Sequence, residues 1–260
     1  MTRVRNRLFI VTLSIAVLII SASVTKAQDT DPTLILSLSF DDGSGKVAKD
    51  ISKYGNNGAL KGDPKWVDGK FGKALQLNGS TDWVEVPHAD ILCVDKEVTV
   101  MAWVKMDRYE VPGSGYTGIV AKSNSPRSYS LYTTAAGILH FSTAGVGTTS
   151  IATVPLKEWT HIAAVVIGGK HQYYFNGKLD TETGSGIALP GLSDKAVVLV
   201  GKTAEGSREY QGIIDEVRIW NKALKIDEIV KQMDKGGKTA SVQSNGKLAS
   251  TWAQIKNTLF

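Results

Sequence analysis

The segment QGIIDEVRIWNKAL, residues 211–224, determines how the rest of this 260-residue sequence is interpreted. Its alternation has the period of two that is typical of a β-strand. One face would carry Ile213, Asp215, Val217 and Ile219, and the other would carry Ile214, Glu216, Arg218 and Trp220. Asp215 therefore falls on the apolar face, and we expect its carboxylate to be buried. A buried carboxylate is tolerated only when a cation, a metal ion or several hydrogen-bond donors offset its desolvation, so this strand predicts a fixed site.

Short apolar or alternating segments recur along the chain and are separated by turn residues. Their regular spacing, with almost no helical periodicity, predicts an all-β fold, an antiparallel β-sandwich of two packed sheets. Asn176-Gly177 supplies the positive φ angles of a two-residue hairpin turn. The predicted strands are Leu34–Phe40, Ala74–Leu77, Trp83–Val86, Val98–Lys105, Ile119–Lys122, Tyr129–Thr133, Ile138–Ser142, Thr160–Ile167, Gln172–Phe175, Ala196–Val200 and Gly212–Trp220.

Several sequence blocks, taken in order, resemble one known family. They are LSFDDGSG (38–45), DISKYGNNG (50–58), FGKALQLNG (71–79), DWVEVP (82–87), WTHIA (159–163), YFNGK (174–178) and the segment 211–224. Together they resemble a LamG-like jelly-roll domain of the concanavalin A-like lectin/glucanase superfamily, over about residues 34–233. The resemblance implies a jelly roll and a binding function, because related domains bind sugars, steroids and proteins.

The two ends of the chain differ in character from the middle. Three arginines within residues 3–7, the apolar run Leu8–Ile20 and the small residues leading to Ala27 predict a secretory signal peptide, residues 1–27, cleaved after Ala27. A retained membrane anchor is the alternative, but the run falls short of the roughly 20 residues that span a bilayer. We expect the jelly-roll domain at 28–233, a flexible linker at 234–247 and a short helical tail at 248–260.

Removal of the signal peptide would lower the net charge of the chain from +5 to about +1. Four of the 30 basic residues and none of the 25 acidic residues precede Gln28, so the mature charge is 26 minus 25, or +1. No Lys/Arg cluster is interleaved with aromatic residues, which argues against a nucleic-acid partner. The single Cys93 cannot form an internal disulfide and is predicted to be a buried, inert thiol. The mature chain is predicted to be secreted or in the periplasm or cell envelope, without a membrane span.

A calcium site is implied by the resemblance, because such jelly rolls place their first and last strands side by side. Asp41 or Asp42 would then approach Asp215, and calcium accepts six to eight oxygen ligands in flexible geometry. Alternatively, Asp215 accepts backbone N–H groups or pairs with a lysine or arginine. Asp82 is a second candidate, since related pentraxin-like domains place a ligand-bridging calcium near such a loop.

Catalysis is not predicted. Retaining glycosidases need two carboxylates about 5 to 5.5 Å apart, and only Asp180 and Glu182, in a predicted loop, approach that pattern. The histidines match no zinc spacing, and His161 is predicted to be a hydrogen-bonded packing residue within a strand. No nucleophile elbow, phosphate loop or dinucleotide fingerprint occurs.

The remaining prediction is binding. Aromatic side chains stack on the apolar faces of sugars, and rim loops often carry recognition. Tyr109 and Tyr116 lie in the insertion 106–118, and Arg127 and Tyr132 are further candidates; alternatively, the tyrosines cover the edge of the sandwich. We therefore expect a secreted, non-catalytic module that binds a glycan or cell-surface ligand, with a structural calcium ion. The alternatives are a protein-interaction or structural envelope domain, or a divergent glycan hydrolase, and the sequence leaves the oligomeric state open.

Overall fold

The computed structural model describes residues 29–109, 113–122, 126–191, 194–206 and 208–236. The predicted signal peptide, the linker beyond residue 236 and the predicted helical tail lie outside the described residues. No helix in these ranges is both long enough and apolar enough to span a membrane.

The described chain is built almost entirely of strands, followed by one helix. The helix is α1 (Ile226–Met233). The strands are β1 (Leu34–Leu38), β2 (Val47–Ala48), β3 (Gly58–Lys61), β4 (Lys65–Asp68), β5 (Lys73–Asn78), β6 (Trp83–Val86), β7 (Val98–Met106), β8 (Tyr116–Lys122), β9 (Tyr129–Thr134), β10 (Ile138–Thr143), β11 (Val146–Thr153), β12 (Thr160–Ile167), β13 (Lys170–Phe175), β14 (Lys178–Thr183), β15 (Val198–Val200) and β16 (Gln211–Trp220).

The strands form two eight-stranded antiparallel sheets, which confirms the predicted fold class. Sheet 1 has the order β14-β13-β12-β7-β16-β5-β4, with β1 also paired to β16. Sheet 2 has the order β11-β10-β9-β8-β15-β6-β3-β2. The pairing of Leu36 with Ile219 places the first and last long strands side by side, as the resemblance implied. The predicted hairpin turn is also present, with φ angles of 48° at Asn176 and 75° at Gly177.

The main core lies between the two sheets, and a smaller cluster lies on the outer face of sheet 1. In that cluster α1 packs through Ile229 against Met101 of β7 and Trp220 of β16. A hydrogen bond holds the end of α1 on this face of sheet 1, because Arg218 Nη1 donates to Gln232 O at 2.6 Å. The described chain ends meet nearby, where Lys235 forms an ion pair with Asp29.

A β-bulge in β16 corrects the predicted phase of that strand. The register with β7 shifts between Asp215 and Arg218, and Glu216 has a φ of 50°. A bulge adds one residue and reverses the faces beyond it, so Ile214 and Val217 both point into the main core. The prediction that Asp215 shares the face of Val217 is therefore wrong. Its burial is confirmed, because Asp215 is 0% exposed on the outer face of sheet 1, paired with Trp103.

Candidate functional site

An aromatic cluster occupies the outer face of sheet 2. Leu131 and Phe141 point into the core, so alternation along β9 and β10 directs Tyr132 and His140 to the opposite face. These two rings lie in register and stack, with centroids 4.8 Å apart and an interplanar angle of 11°. Tyr116 of β8 meets the Tyr132 ring edge-on at 5.2 Å. Tyr116 is therefore a strand residue, which corrects its predicted place in a loop.

Two arginines and one glutamate surround these rings. Arg127 Nη2 donates to both carboxylate oxygens of Glu205 at 2.5 Å, and Arg208 Nη1 donates to the same carboxylate. The guanidinium carbon of Arg127 lies 5.7 Å from the Tyr132 centroid, and that of Arg208 lies 5.0 Å from the Tyr116 centroid. The resulting group, which we call the Tyr–Arg cluster, consists of Tyr116, Arg127, Tyr132, His140, Glu205 and Arg208.

Burial and the two arginines set the charge of the Tyr–Arg cluster. Burial, with the charges of Arg127 and Arg208, lowers the pKa of His140 to about 4, so this ring is neutral at pH 7. Burial raises the pKa of Glu205, but hydrogen bonds and charges from the two arginines outweigh it and lower that pKa. The cluster therefore holds two cations and one anion at neutral pH.

The structure brings together three of the four predicted ligand residues, Tyr116, Arg127 and Tyr132. Tyr109 lies apart, against the turn between β9 and β10, where a Cβ at Gly137 would fall 2.5 Å from its ring. Sequence reasoning missed His140, Glu205 and Arg208. The alternation of β10 relative to Phe141 was a signal for His140, whereas nothing local to residues 201–206 and 208–210 indicated that they contact β8.

The buried carboxylate of Asp215 lies in a second polar site. Its Oδ2 accepts a hydrogen bond from Phe71 N at 3.0 Å, and Oδ1 has no hydrogen-bond partner among the described residues. Burial raises the pKa of Asp215 to about 8, despite the bond from Phe71. The carboxylates of Glu216 and Asp41 act in the same direction as burial. The site is therefore short of positive charge.

Asp41 approaches this site from the other side of the loop that contains Phe71. Asp41 Oδ1 accepts a hydrogen bond from Lys73 N at 3.1 Å. A Cβ at Gly69 would lie 2.6 Å from Asp215 Oδ2, so the loop packs directly on the buried carboxylate. No group of three or more His, Cys, Asp or Glu side chains that could hold a metal ion occurs in the described part of the chain. A cation here would therefore need main-chain oxygens besides Asp41 and Asp215.

The other two predicted metal ligands lie elsewhere. Asp42 turns toward Lys49, whose backbone N–H donates to its Oδ2 at 3.0 Å and whose Nζ lies 3.6 Å from its Oδ1. Asp82 is buried and accepts hydrogen bonds from the backbone of Asp63 at 2.9 Å and of Asn78 at 3.2 Å. Asp82 also lines a depression of about 360 Å³. Its contacts tie the loop that contains Asp63 to the turn that joins β5 and β6.

The two acidic residues that come nearest to a glycosidase pattern, Asp180 and Glu182, have separate structural partners. Asp180 and Glu182 lie in β14 and not in a loop, which corrects their predicted position. The Asp180 carboxylate accepts the N–H groups of Ile151 at 2.7 Å and Ala152 at 3.0 Å. Glu182 instead pairs with Lys170 at 2.5 Å. Each carboxylate therefore has its own structural partners.

Comparison with protein families gives one match. The Laminin_G_3 family model, described as the concanavalin A-like lectin/glucanases superfamily, matches residues 78–230. This range contains the whole Tyr–Arg cluster and Asp215. A comparison with curated proteins finds no match.

Solved structures with a similar fold come from carbohydrate-active enzymes and from a toxin. Domain 4 of AbnA, a GH43 extracellular arabinanase from Geobacillus stearothermophilus solved with arabinotriose, is 22% identical with a TM-score of 0.61, and the match covers 77% of this chain and 98% of that one. A second structure is of botulinum neurotoxin type C, a toxin whose cell entry depends on interaction with two ganglioside molecules. It is 16% identical with a TM-score of 0.62, and the match covers 78% of this chain and 51% of that one. Trypanosoma rangeli sialidase is 16% identical with a TM-score of 0.58, and this chain spans only 33% of it.

Proposed function

Because the chain belongs to the Laminin_G_3 family of the concanavalin A-like lectin/glucanases superfamily, we propose that it is a secreted, non-catalytic module that binds carbohydrate. The observation that carries this proposal is the Tyr–Arg cluster on the outer face of sheet 2. Aromatic rings contact the apolar faces of sugars, and charged or amide groups beside them fix the orientation of hydroxyl groups. Among structures of similar fold, one was solved with arabinotriose and another concerns ganglioside-dependent entry.

The absence of catalysis in this proposal rests on the acidic residues. Within the described ranges, Asp180 and Glu182 have separate structural partners, and Glu205 is held by two guanidinium groups. A general acid needs a pKa near the working pH, whereas the arginines lower the pKa of Glu205. Neither arrangement supplies the pair of carboxylates that glycoside hydrolysis requires.

We also infer a structural calcium ion between Asp41 and Asp215. The residues fit such an ion, because both side chains offer only oxygen and Asp215 Oδ1 is buried without a partner among the described residues. Calcium prefers carboxylate and carbonyl oxygens, and the loop 69–73 brings main-chain groups to the same place. A bound divalent ion would supply the positive charge that the burial of Asp215 lacks.

A glycan array with purified mature protein tests the function, run once with calcium and once with a chelator. We expect signals for a defined group of glycans. Tyr116→Ala should abolish them, because it removes the half-buried ring at the edge of the Tyr–Arg cluster. Tyr109→Ala is the matched control, because Tyr109 lies outside that cluster and its loss should leave the signals intact.

Other results would favour the alternative functions. An empty array under both conditions, together with capture of a protein partner, would favour a protein-interaction or envelope domain. Shorter products released from a bound polysaccharide would favour a divergent hydrolase. Signals that disappear with the chelator would connect glycan binding to the calcium site.

A further inference from the structure

Arg208 is held in a fixed orientation within the Tyr–Arg cluster. Its main chain is anchored to β8, because Arg208 O accepts a hydrogen bond from Gly118 N at 2.8 Å. Its guanidinium carbon lies 5.0 Å from the Tyr116 centroid and 5.9 Å from the Tyr132 centroid. Cation–π contact with two rings limits the planes that the guanidinium adopts. The group is therefore pre-organised for a ligand.

One edge of this guanidinium remains available. Nη1 donates to Glu205, whereas Nε and Nη2 have no hydrogen-bond partner within the described ranges. These two N–H groups point in nearly the same direction and match the two oxygens of a carboxylate. The side chain of Arg208 is 20% exposed, so this group is partly open to solvent.

The charge of the cluster also favours an anion. Arg127 contacts both oxygens of Glu205 and offsets its negative charge. The second positive charge, on Arg208, is then left without a full counter-charge in the cluster. Neutral sugars offer hydroxyl oxygens to such a group, but a carboxylate offers both the geometry and the opposite charge.

We propose that this site selects acidic carbohydrates, and that the Nε–Nη2 edge of Arg208 binds the carboxylate of a sugar acid lying beside Tyr116. The proposal rests on the carbohydrate-binding function and adds the ligand class and the residue that recognises it. Glu205 fixes the other side of the guanidinium through the hydrogen bond that Nη1 donates to it.

The test compares one oligosaccharide with its uncharged counterpart. Trigalacturonate, the same trisaccharide after carboxyl reduction, and a sulfated form of the neutral trisaccharide are titrated into the mature protein by calorimetry. We expect trigalacturonate to bind at least about tenfold more tightly than the reduced form, and this ratio should fall as salt is added. Arg208→Gln should bring the ratio to about one while binding of the reduced form persists.

Two further variants separate recognition from general attraction. Arg208→Lys keeps the charge but lacks the planar pair of donors, so it should lose most of the preference. Lys202→Gln removes a cation that pairs with Glu209 outside the cluster, and it should keep the preference. Melting temperatures of all three variants, measured alongside, show whether each remains folded.

The outcomes distinguish this inference from the function on which it rests. Equal binding of trigalacturonate and its reduced form would overturn the acidic preference and leave carbohydrate binding standing. Equal losses in Arg208→Gln and Lys202→Gln would overturn recognition through the Arg208 edge. Equal binding of the sulfated form would overturn the selectivity for a carboxylate, because a sulfate group also accepts two parallel N–H bonds. Failure of every carbohydrate to bind, including all those on the array, would remove the proposed function together with this inference.

Discussion

His161→Phe should make the protein more resistant to acid. His161 is 1% exposed, and its ring packs against Trp103 with centroids 5.4 Å apart. Neither ring nitrogen has a hydrogen-bond partner in the described part of the chain, so the predicted hydrogen-bonded histidine is a packed one without such a bond. Burial, with a smaller effect of Arg218, lowers the pKa of His161 from 6.5 to about 3.

The direction of the effect follows from proton binding. Between pH 6.5 and about 3, the unfolded chain binds a proton at this histidine and the folded protein does not, so the free energy of unfolding falls as the pH falls. Each pH unit in that window corresponds to about 1.4 kcal/mol, which gives about 3 kcal/mol by pH 4. At pH 7, phenylalanine removes two unpaired buried nitrogens, so the variant should equal the wild type or exceed it by about 1 kcal/mol.

The measurement is urea unfolding at pH 7 and at pH 4, followed by tryptophan fluorescence, for the wild type, His161→Phe and His161→Gln. Both variants lack the titrating ring, so both should gain about 3 kcal/mol relative to wild type between the two pH values. Glutamine retains buried polar atoms and should be less stable than phenylalanine at both. A difference between wild type and His161→Phe that is the same at pH 7 and pH 4 would refute the reasoning.

Three more predictions concern single residues. Asp215→Asn should abolish the rise in melting temperature that calcium gives the wild type, whereas Asp42→Asn should retain it; an equal rise in both variants would remove Asp215 from the site. Lys122→Met should lower the free energy of unfolding in urea by about 3 kcal/mol, because it deprives the Asp194 carboxylate of an amine 3.4 Å away; an unchanged midpoint would contradict this. Gly147→Ala should weaken glycan binding on the array, because a Cβ there would lie 2.1 Å from His140 Nε2 and would displace that ring; unchanged signals would show that the ring is not needed.

The sequence was sufficient to predict the architecture, because most strands bury alternate apolar residues. Trp83–Val86 and Thr160–Ile167 were predicted with their observed bounds. β11 (Val146–Thr153) was missed, because its sequence VGTTSIAT is largely polar and mostly not buried. Strands of this kind are held by their neighbours in the sheet more than by their own apolar pattern.

The candidate sites were less predictable than the fold, for two physical reasons. The bulge at Glu216 depends on pairing with β7, and a single strand read with a period of two cannot reveal it. The Tyr–Arg cluster depends on residues distant in sequence, since Arg127 and Glu205 are brought together only by the folded chain. The aromatic residues on the strands were therefore accessible to sequence reasoning, whereas their charged partners were not.

The ion pair between Asp29 and Lys235 has a consequence for how the domain is displayed. Both described ends leave from the side of sheet 1 that α1 covers, and Gly236 packs there between Phe71 and Glu216. The Tyr–Arg cluster lies on the outward side of the opposite sheet. A polypeptide joined to either described end would therefore attach on the side opposite to the Tyr–Arg cluster. The cluster would then point away from that attachment.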